Sequence, residues 1–170
     1  MRIAIMGAGS VGCYYGGMLA RQGYDVMLIG RPAHVDAINE QGLRLQTRAF
    51  DVLVPLHAST EASALTGAAL VLCCVKSPDT ATTARAMAPH LAADARVLSL
   101  QNGVDNVDTL RAALPQTVAP AVVYVATEMA GPGHVLHHGR GELVLPPDIL
   151  TDAERASFAA AGIRLEFSDN

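Results

Sequence analysis

The chain alternates short apolar runs with segments in which apolar residues recur every three or four positions. The apolar runs predict strands at residues 2–6, 25–29, 70–75, 96–100 and 118–127, and the uninterrupted run at 70–75 is typical of a strand buried on both faces. Helical spacing predicts helices at residues 10–22, 32–41, 80–91 and 104–114. This order predicts an α/β fold, a Rossmann-like doubly wound and mostly parallel sheet with helices on both faces.

Two stretches depart from this alternation. Residues 43–57 alternate apolar and polar positions and predict a hairpin or edge strands. Beyond residue 127 the pattern predicts a turn at 131–133, strands at 135–137 and 142–145 around Gly139-Arg140-Gly141, a helix from a Thr151–Glu154 capping box to about residue 161, and a strand at 163–167. We therefore expect one domain over residues 1–170, with a Rossmann core over about 1–127 and an extension over about 128–170.

Composition narrows the class of protein. The chain of 170 residues is 51% hydrophobic, 4% aromatic and carries a net charge of −4, so we expect neither a nucleic-acid partner nor an anionic membrane surface. No apolar run approaches the roughly 18 residues of a membrane span, which predicts a soluble protein.

The cysteines and histidines suggest no metal or disulfide chemistry. Cys13, Cys73 and Cys74 lie in apolar surroundings and predict buried thiols in a reducing compartment, most simply the cytoplasm. The six histidines have no cysteine or carboxylate at ligand spacing, so we expect no metal site.

The strongest chemical signal is the glycine-rich segment Gly7-Ala8-Gly9-Ser10-Val11-Gly12, which follows a predicted strand and opens a predicted helix. In a dinucleotide-binding turn, the first glycine permits the tight bend and the second lets the backbone approach a diphosphate. The third lets the helix pack close to the strand. The positive end of the helix then attracts the phosphates. The alternative is a glycine turn with no ligand.

The residue after the second strand bears on the choice of dinucleotide. Proteins that bind NAD usually carry an acid there, which accepts a hydrogen bond from the ribose 2′-hydroxyl. Here the segment reads Ile29-Gly30-Arg31, and an arginine would pair with the 2′-phosphate of NADP(H). The sequence therefore favours NADP(H), and the alternative is a solvated arginine at a helix start.

Two further segments follow predicted strands. Lys76 comes directly after the run at 70–75, and Gln101-Asn102-Gly103 follows the strand at 96–100. Ligands of open parallel sheets bind at the carboxyl ends of strands, so Lys76 and Asn102 are candidates to bind the nicotinamide ribose or a substrate carbonyl and carboxylate. Equally, Lys76 fits a surface lysine and Asn102-Gly103 a turn dipeptide.

Together these residues resemble the ketopantoate reductase (2-dehydropantoate 2-reductase) family. The resemblance rests on the opening Met1–Gly12 segment, Arg31, Val75-Lys76, Gln101-Asn102-Gly103 and Pro132-Gly133-His134-Val135 with His138-Gly139 and Gly141, in the family's order over almost the whole chain. It implies NADPH-dependent reduction of 2-dehydropantoate, a small 2-keto acid, to pantoate, a step towards pantothenate and coenzyme A. It also implies that the diphosphate lies on residues 7–12, the 2′-phosphate near Arg31, and cofactor and substrate beside Lys76 and Asn102.

The chain departs from the family in length. Family members have a second, helical domain that carries the catalytic lysine, whereas Lys76 is the last lysine here. We therefore expect a cofactor-binding fragment without catalytic residues of its own, which binds NADP(H) but scarcely reduces ketopantoate.

Two other functions stay open at this point. One is a different NADP-dependent dehydrogenase of the same two-domain type, acting on another 2-keto or 2-hydroxy acid, and the other is a non-catalytic NADP-binding module. A fragment exposes the apolar surface that its other domain would cover, so a homodimer through that surface stays open as well, as does the exact substrate.

Overall fold

The computed structural model describes residues 2–102 and 105–169. Met1, Gly103 and Val104, which belong to the predicted motifs and helix above, lie outside the described residues. The elements are β1 Arg2–Met6, α1 Ser10–Arg21, β2 Asp25–Ile29, α2 Pro32–Gln41, β3 Leu43–Gln46, β4 Asp51–Val54, β5 His57–Ser59, β6 Ala68–Cys73, α3 Thr80–Met87, β7 Arg96–Ser99, α4 Asn106–Ala113, β8 Thr117–Pro120, β9 Val122–Gly131, β10 His134–Leu145, α5 Asp152–Ala160 and β11 Leu165–Phe167. Short 3-10 turns cover Ala62–Leu65, Ser77–Asp79 and Ala88–His90.

The larger sheet is parallel throughout its described strands, with the order β5-β2-β1-β6-β7-β8. Alternate residues of the central strands feed two apolar clusters, because side chains along a strand point to opposite faces. Ile3 and Ile5 of β1 pack in the cluster that contains α1, whereas Ala4 and Met6 pack in the cluster that contains residues of α3 and α4. Helices therefore cover both faces, and the predicted doubly wound Rossmann-like fold is confirmed.

A smaller second sheet covers the outer side of helix α1. Its order is β11-β10-β3-β4, and β9 pairs with β10. Two adjacent glycines let α1 fit between the sheets: a Cβ on Gly16 would lie 3.2 Å from Ile5 of the larger sheet, and one on Gly17 would lie 2.8 Å from Leu43 of the smaller sheet. Since β3 and β4 come from residues 43–54, the smaller sheet also uses chain from within the first 127 residues.

The predicted single strand at 118–127 was wrong. It is two strands in different sheets, β8 and β9, separated at Ala121, whose N–H donates to the Ser99 carbonyl at 2.9 Å. The apolar run continues through this junction, so its hydrophobicity carries no sign that the chain leaves one sheet for the other.

The predicted pair of strands at 135–137 and 142–145 is one continuous strand, β10. Its register against β9 shifts between His137 and Gly139 and again between Arg140 and Glu142. Arg140 has a φ of 64°, which places this residue in the left-handed region. The two glycines beside it mark bulges rather than a reversal, because an extra residue in an antiparallel ladder needs the same freedom as a turn.

The remaining sequence predictions were close. The hairpin within 43–57 is β3 and β4, although its last residue, His57, leaves it and begins β5 in the larger sheet. The helix predicted at 80–91 ends at Met87, and a 3-10 turn containing Pro89 follows. The Thr151–Glu154 capping box is present at the start of α5.

Candidate functional site

The glycine-rich turn joins β1 to α1 at the carboxyl edge of the larger sheet. Gly7 has a φ of 111°, and its N–H donates to the Ile29 carbonyl at the end of β2, at 2.8 Å. A Cβ on Gly7 would lie 2.9 Å from the backbone of Cys74, which follows β6. The bend after β1 is therefore held between the strand ends on both of its sides, and only glycine fits there.

The other two glycines of the turn differ in what surrounds them. A Cβ on Gly12 would lie 1.9 Å from the Gly7 carbonyl oxygen, so this glycine is required for the helix to start so close to the strand. Gly9 is exposed, and a Cβ there would have no described heavy atom within 4 Å. Packing within the described residues thus explains Gly7 and Gly12 but not Gly9. The open space over Gly9 is what close approach of a diphosphate to the backbone needs.

The amino end of α1 is available to an anion. Gly9 occupies the N-cap position, and within the described residues neither a capping side chain nor an acidic residue in the first turn neutralises that end. Ser10 and Val11 begin the helix and are half-buried. Ala8 is buried, because Gly30 at the end of β2 packs over it: a Cβ on Gly30 would lie 2.2 Å from the Ala8 Cβ. The turn and the helix start fit a dinucleotide diphosphate.

Arg31 lies at the N-cap position of α2, directly beyond β2. Its side chain is 85% exposed, and Nη2 lies 3.6 Å from Oδ2 of Asp79. Asp79 closes the 3-10 turn that follows β6, so the two residues come from the strands on either side of β1. The guanidinium is free enough to turn toward a ligand on the glycine turn, but a carboxylate already accompanies it.

Lys76 and Asn102 are both exposed and lie just beyond β6 and β7. These strands pair in parallel, with Cys73 opposite Ser99 at their carboxyl ends. The two segments are tied together, since the Ser77 hydroxyl donates to the Asn102 carbonyl at 2.9 Å. The structure therefore brings the backbones at Lys76 and Asn102 close together and leaves an ammonium and a carboxamide at the same edge as the glycine turn.

A network of buried polar side chains holds these two segments in place through hydrogen bonds. Gln101 donates to the Val75 carbonyl at 3.0 Å and to the Thr80 hydroxyl at 2.7 Å, and Thr80 donates to Oδ1 of Asn106 at 2.8 Å. Asn106 in turn donates to the Asn102 carbonyl at 2.6 Å. Thr80 and Asn106 are 2% and 5% exposed, so these side chains are positioned to orient the loops rather than to touch a ligand.

The cysteines near the turn are inert thiols. The Cys13 thiol donates to the Ala8 carbonyl at 3.3 Å, and burial raises its pKa to about 12. Burial also raises the pKa of Cys73 to about 11, against the opposing effect of a backbone hydrogen bond from Val75. Neither group is a thiolate near neutral pH, so the prediction of buried thiols holds for both, whereas Cys74 is half-buried.

Sequence reasoning missed several residues of this edge. No role was predicted for Gly30, although it makes room for Ala8. Asp79 and the network residues Ser77, Thr80 and Asn106 were not singled out at all. The available signal was their position: polar residues within a few positions of a buried strand's carboxyl end lie at the ligand edge of a parallel sheet.

Two kinds of feature are absent from residues 2–102 and 105–169. No helix in those ranges is long and apolar enough to cross a membrane. Nor do three or more His, Cys, Asp or Glu side chains there converge in a way that could hold a metal ion.

The parallel sheet, its glycine turn and the covering helices define the chain as a Rossmann-like α/β domain. Comparison with known proteins then gives the family. The family profile described as "Ketopantoate reductase PanE/ApbA" matches residues 3–148, and the chain belongs to the ketopantoate reductase family.

Individual relatives agree in sequence and in structure. The chain is 36% identical to a 2-dehydropantoate 2-reductase of Halobacterium salinarum, over 95% of this chain and 54% of the relative. The crystal structure of a PanE/ApbA family ketopantoate reductase from Ralstonia eutropha JMP134 superposes with a TM-score of 0.97 at 64% identity, covering 100% of this chain and 57% of that one. The ternary structure of D-mandelate dehydrogenase with NADH and anilino(oxo)acetate gives a TM-score of 0.86 at 28% identity, covering 100% of this chain and 57% of that one. The chain thus spans little more than half the length of these relatives.

Proposed function

We propose that this chain is the cofactor-binding half of a reductase that converts 2-dehydropantoate to pantoate with NADPH, a step towards pantothenate and coenzyme A. The observation that carries the proposal is the exposed Gly9 at the uncapped start of α1, within a turn whose other glycines are explained by packing. Membership of the ketopantoate reductase family supplies the reaction class.

Each candidate residue has a separate role in this proposal. Backbone N–H groups of residues 7–12 bind the diphosphate at the amino end of α1, where the helix dipole favours negative charge. Arg31 pairs with the 2′-phosphate through its planar guanidinium. Lys76 and Asn102 bind the nicotinamide ribose and the carbonyl and carboxylate of the substrate.

The chemistry is divided between this half and the remainder of the longer proteins. When bound, the reduced nicotinamide supplies a hydride to the ketone carbon. The residues of this chain bind and orient the reactants, and the network around Asn106 holds the loops that carry Lys76 and Asn102. We place the proton donor to the developing alkoxide outside the segment that this chain shares with its relatives, so the isolated chain would have little activity.

A second candidate reaction has support of its own. The D-mandelate dehydrogenase structure, at a TM-score of 0.86, shows that the same architecture serves another 2-hydroxy-acid dehydrogenase. Residues other than Lys76 and Asn102 would then decide which keto acid the protein accepts. A non-catalytic NADP-binding module is the third possibility.

Turnover separates these candidates. The protein expressed from its complete reading frame is assayed with NADPH and a panel of 2-keto acids, beside the 170-residue chain. We expect 2-dehydropantoate to give the highest kcat/KM, and the isolated chain to bind NADPH without appreciable turnover. A higher kcat/KM on a mandelate-type keto acid would favour the second candidate, and NADPH binding without turnover on any keto acid would favour the module.

Binding measurements test the assignment of Arg31. NADPH and NADH are titrated into the chain and followed by their own fluorescence, to which no tryptophan in the protein contributes. Arg31→Asp should weaken NADPH at least about tenfold more than NADH, since it replaces attraction by repulsion at the 2′-phosphate. Equal losses for both dinucleotides would mean that Arg31 has only a structural role.

A further inference from the structure

We infer that Asp79 is a determinant of cofactor specificity that opposes NADPH, by holding the guanidinium that the 2′-phosphate needs. The inference rests on the proposed function, since it assumes that a nicotinamide dinucleotide lies on the glycine turn. Asp79 is not among the residues that the sequence pattern predicts for the site.

The position of Asp79 follows from the strand order. β1 lies between β2 and β6, and the glycine turn begins where β1 ends. Arg31 follows β2 and Asp79 follows β6, so their ion pair, with 3.6 Å between Nη2 and Oδ2, bridges the two strand ends that flank the turn. A dinucleotide on the turn and the Arg31–Asp79 pair therefore compete for the same region.

The charges make this competition selective. A 2′-phosphate carries about −1.5 to −2 charges near neutral pH, like other phosphate monoesters, and an adjacent carboxylate raises the free energy of that bound form. NADH presents only a neutral 2′-hydroxyl there, and this hydroxyl can donate a hydrogen bond to a carboxylate. NADPH must draw Arg31 away from Asp79, whereas NADH need not.

Asp79 thus supplies the carboxylate that the sequence at the end of β2 lacks. The end of β2 carries no acid, which favours NADPH, yet the structure supplies a carboxylate to the same place from the turn that follows β6. The expected result is a protein whose preference for NADPH is held below the level that Arg31 alone would give.

Asp79 is a suitable residue to substitute. Its side chain is 51% exposed, and among the described residues it forms no capping hydrogen bond to α3. Asp79→Asn therefore removes a charge with little change of shape or folding. Asp25→Asn is the matched control, because Asp25 also pairs with an arginine, Arg2 at 3.1 Å, but lies at the opposite end of β2.

The experiment measures Kd for NADPH and for NADH in the wild-type chain and in both variants. Asp79→Asn should strengthen NADPH binding about threefold to tenfold, the scale of an exposed ion pair plus relief of phosphate repulsion, and change NADH binding less than about twofold. Asp25→Asn should alter neither, because at physiological salt the screening length is about 8 Å, shorter than the five-residue strand.

A second background tests the mechanism. In an Arg31→Gln chain, Asp79→Asn should gain clearly less NADPH affinity than in the wild-type chain, because there is no guanidinium left to release. An undiminished gain would overturn the assignment of Asp79 to Arg31. An unchanged NADPH-to-NADH ratio in Asp79→Asn, or an equal shift in Asp25→Asn, would overturn the inference alone, while a wild-type chain that binds neither dinucleotide would overturn the proposed function with it.

Discussion

The two edges of the parallel sheet use the same kinds of side chain in opposite ways. At the amino edge, Arg96 at the start of β7 donates to Glu154 of α5, with Nη2 to Oε2 at 2.7 Å, and to the Ile149 carbonyl at 2.9 Å. Glu154 is fully buried and also accepts from the Thr151 N–H in the capping box. At the carboxyl edge, Arg31 is 85% exposed and holds one acid at 3.6 Å.

This difference separates residues that stabilise the fold from residues that are available to bind a ligand. An arginine that is only 20% exposed and donates to a buried carboxylate and a backbone carbonyl has little capacity left for a ligand, and removing its carboxylate leaves a poorly solvated charge. An exposed arginine with one weak partner contributes little to folding and can exchange that partner for a phosphate. We therefore expect substitutions at the amino edge to change the free energy of unfolding, and those at the carboxyl edge to change affinity.

The largest effect should come from Glu154→Ala. It leaves Arg96 without its carboxylate and removes half of the capping box, so we expect the free energy of unfolding to fall by about 3–5 kcal/mol. Chemical denaturation measures the loss. Glu166→Ala, which breaks the exposed Arg164–Glu166 pair near the same end of the chain, is the control and should cost less than about 1 kcal/mol. A similar small cost for Glu154→Ala would contradict the contrast between the edges.

The next largest effect is expected for Asn106→Ala, which probes the buried polar network at the carboxyl edge. The change leaves the buried Thr80 hydroxyl without its acceptor and removes one of the two donors to the Asn102 carbonyl, at a cost of about 1–3 kcal/mol. NADPH binding should weaken as well, because the loops that carry Lys76 and Asn102 lose their support. Asn39→Ala removes an exposed asparagine that bonds the Ala58 backbone, and it should affect affinity little.

Gly9→Ala should affect binding while sparing the fold. A methyl group there meets no described heavy atom within 4 Å, and the φ of −80° suits alanine, so the loss of stability stays below about 1 kcal/mol. NADPH affinity should fall at least about tenfold, because the methyl group occupies the space that the diphosphate needs. Gly131→Ala, also in open space, serves as control. Unchanged NADPH affinity in Gly9→Ala would remove the main support for the cofactor site.

The smallest effect should be the pH dependence at the amino edge. Burial alone would raise the pKa of Glu154, but hydrogen bonds from Arg96 and Thr151 outweigh it and hold the pKa below its usual 4.5. A lowered folded-state pKa stabilises the protein above the unfolded-state value, and that stabilisation is lost as the pH falls toward the folded-state value. Denaturation of the wild type should therefore become easier below about pH 4.5, and Glu154→Gln should show a flatter profile over the same range.

Local pattern was enough for much of the fold. Strands β1 and β2 and helix α2 have the predicted bounds, because their apolar periodicity is bounded by glycine or proline. The strand at 118–127 and the pair at 135–145 were wrong for a common reason: both depend on which distant strand each residue pairs with. An apolar run specifies that a segment is buried, not the sheet in which it is buried.

For this protein, the sequence by itself determined the order of the elements, the tight glycine bend before α1 and the polar residues that follow the buried strands. These features depend on near neighbours, since backbone sterics and hydrophobic periodicity act within a few residues. Only the tertiary structure decided that Asp79 accompanies Arg31, that Thr80 bonds Asn106 across 26 residues, and that Arg96 meets Glu154 across 58 residues. Side-chain partners of this kind are chosen by the sheet's strand order, which sets what lies together at each edge.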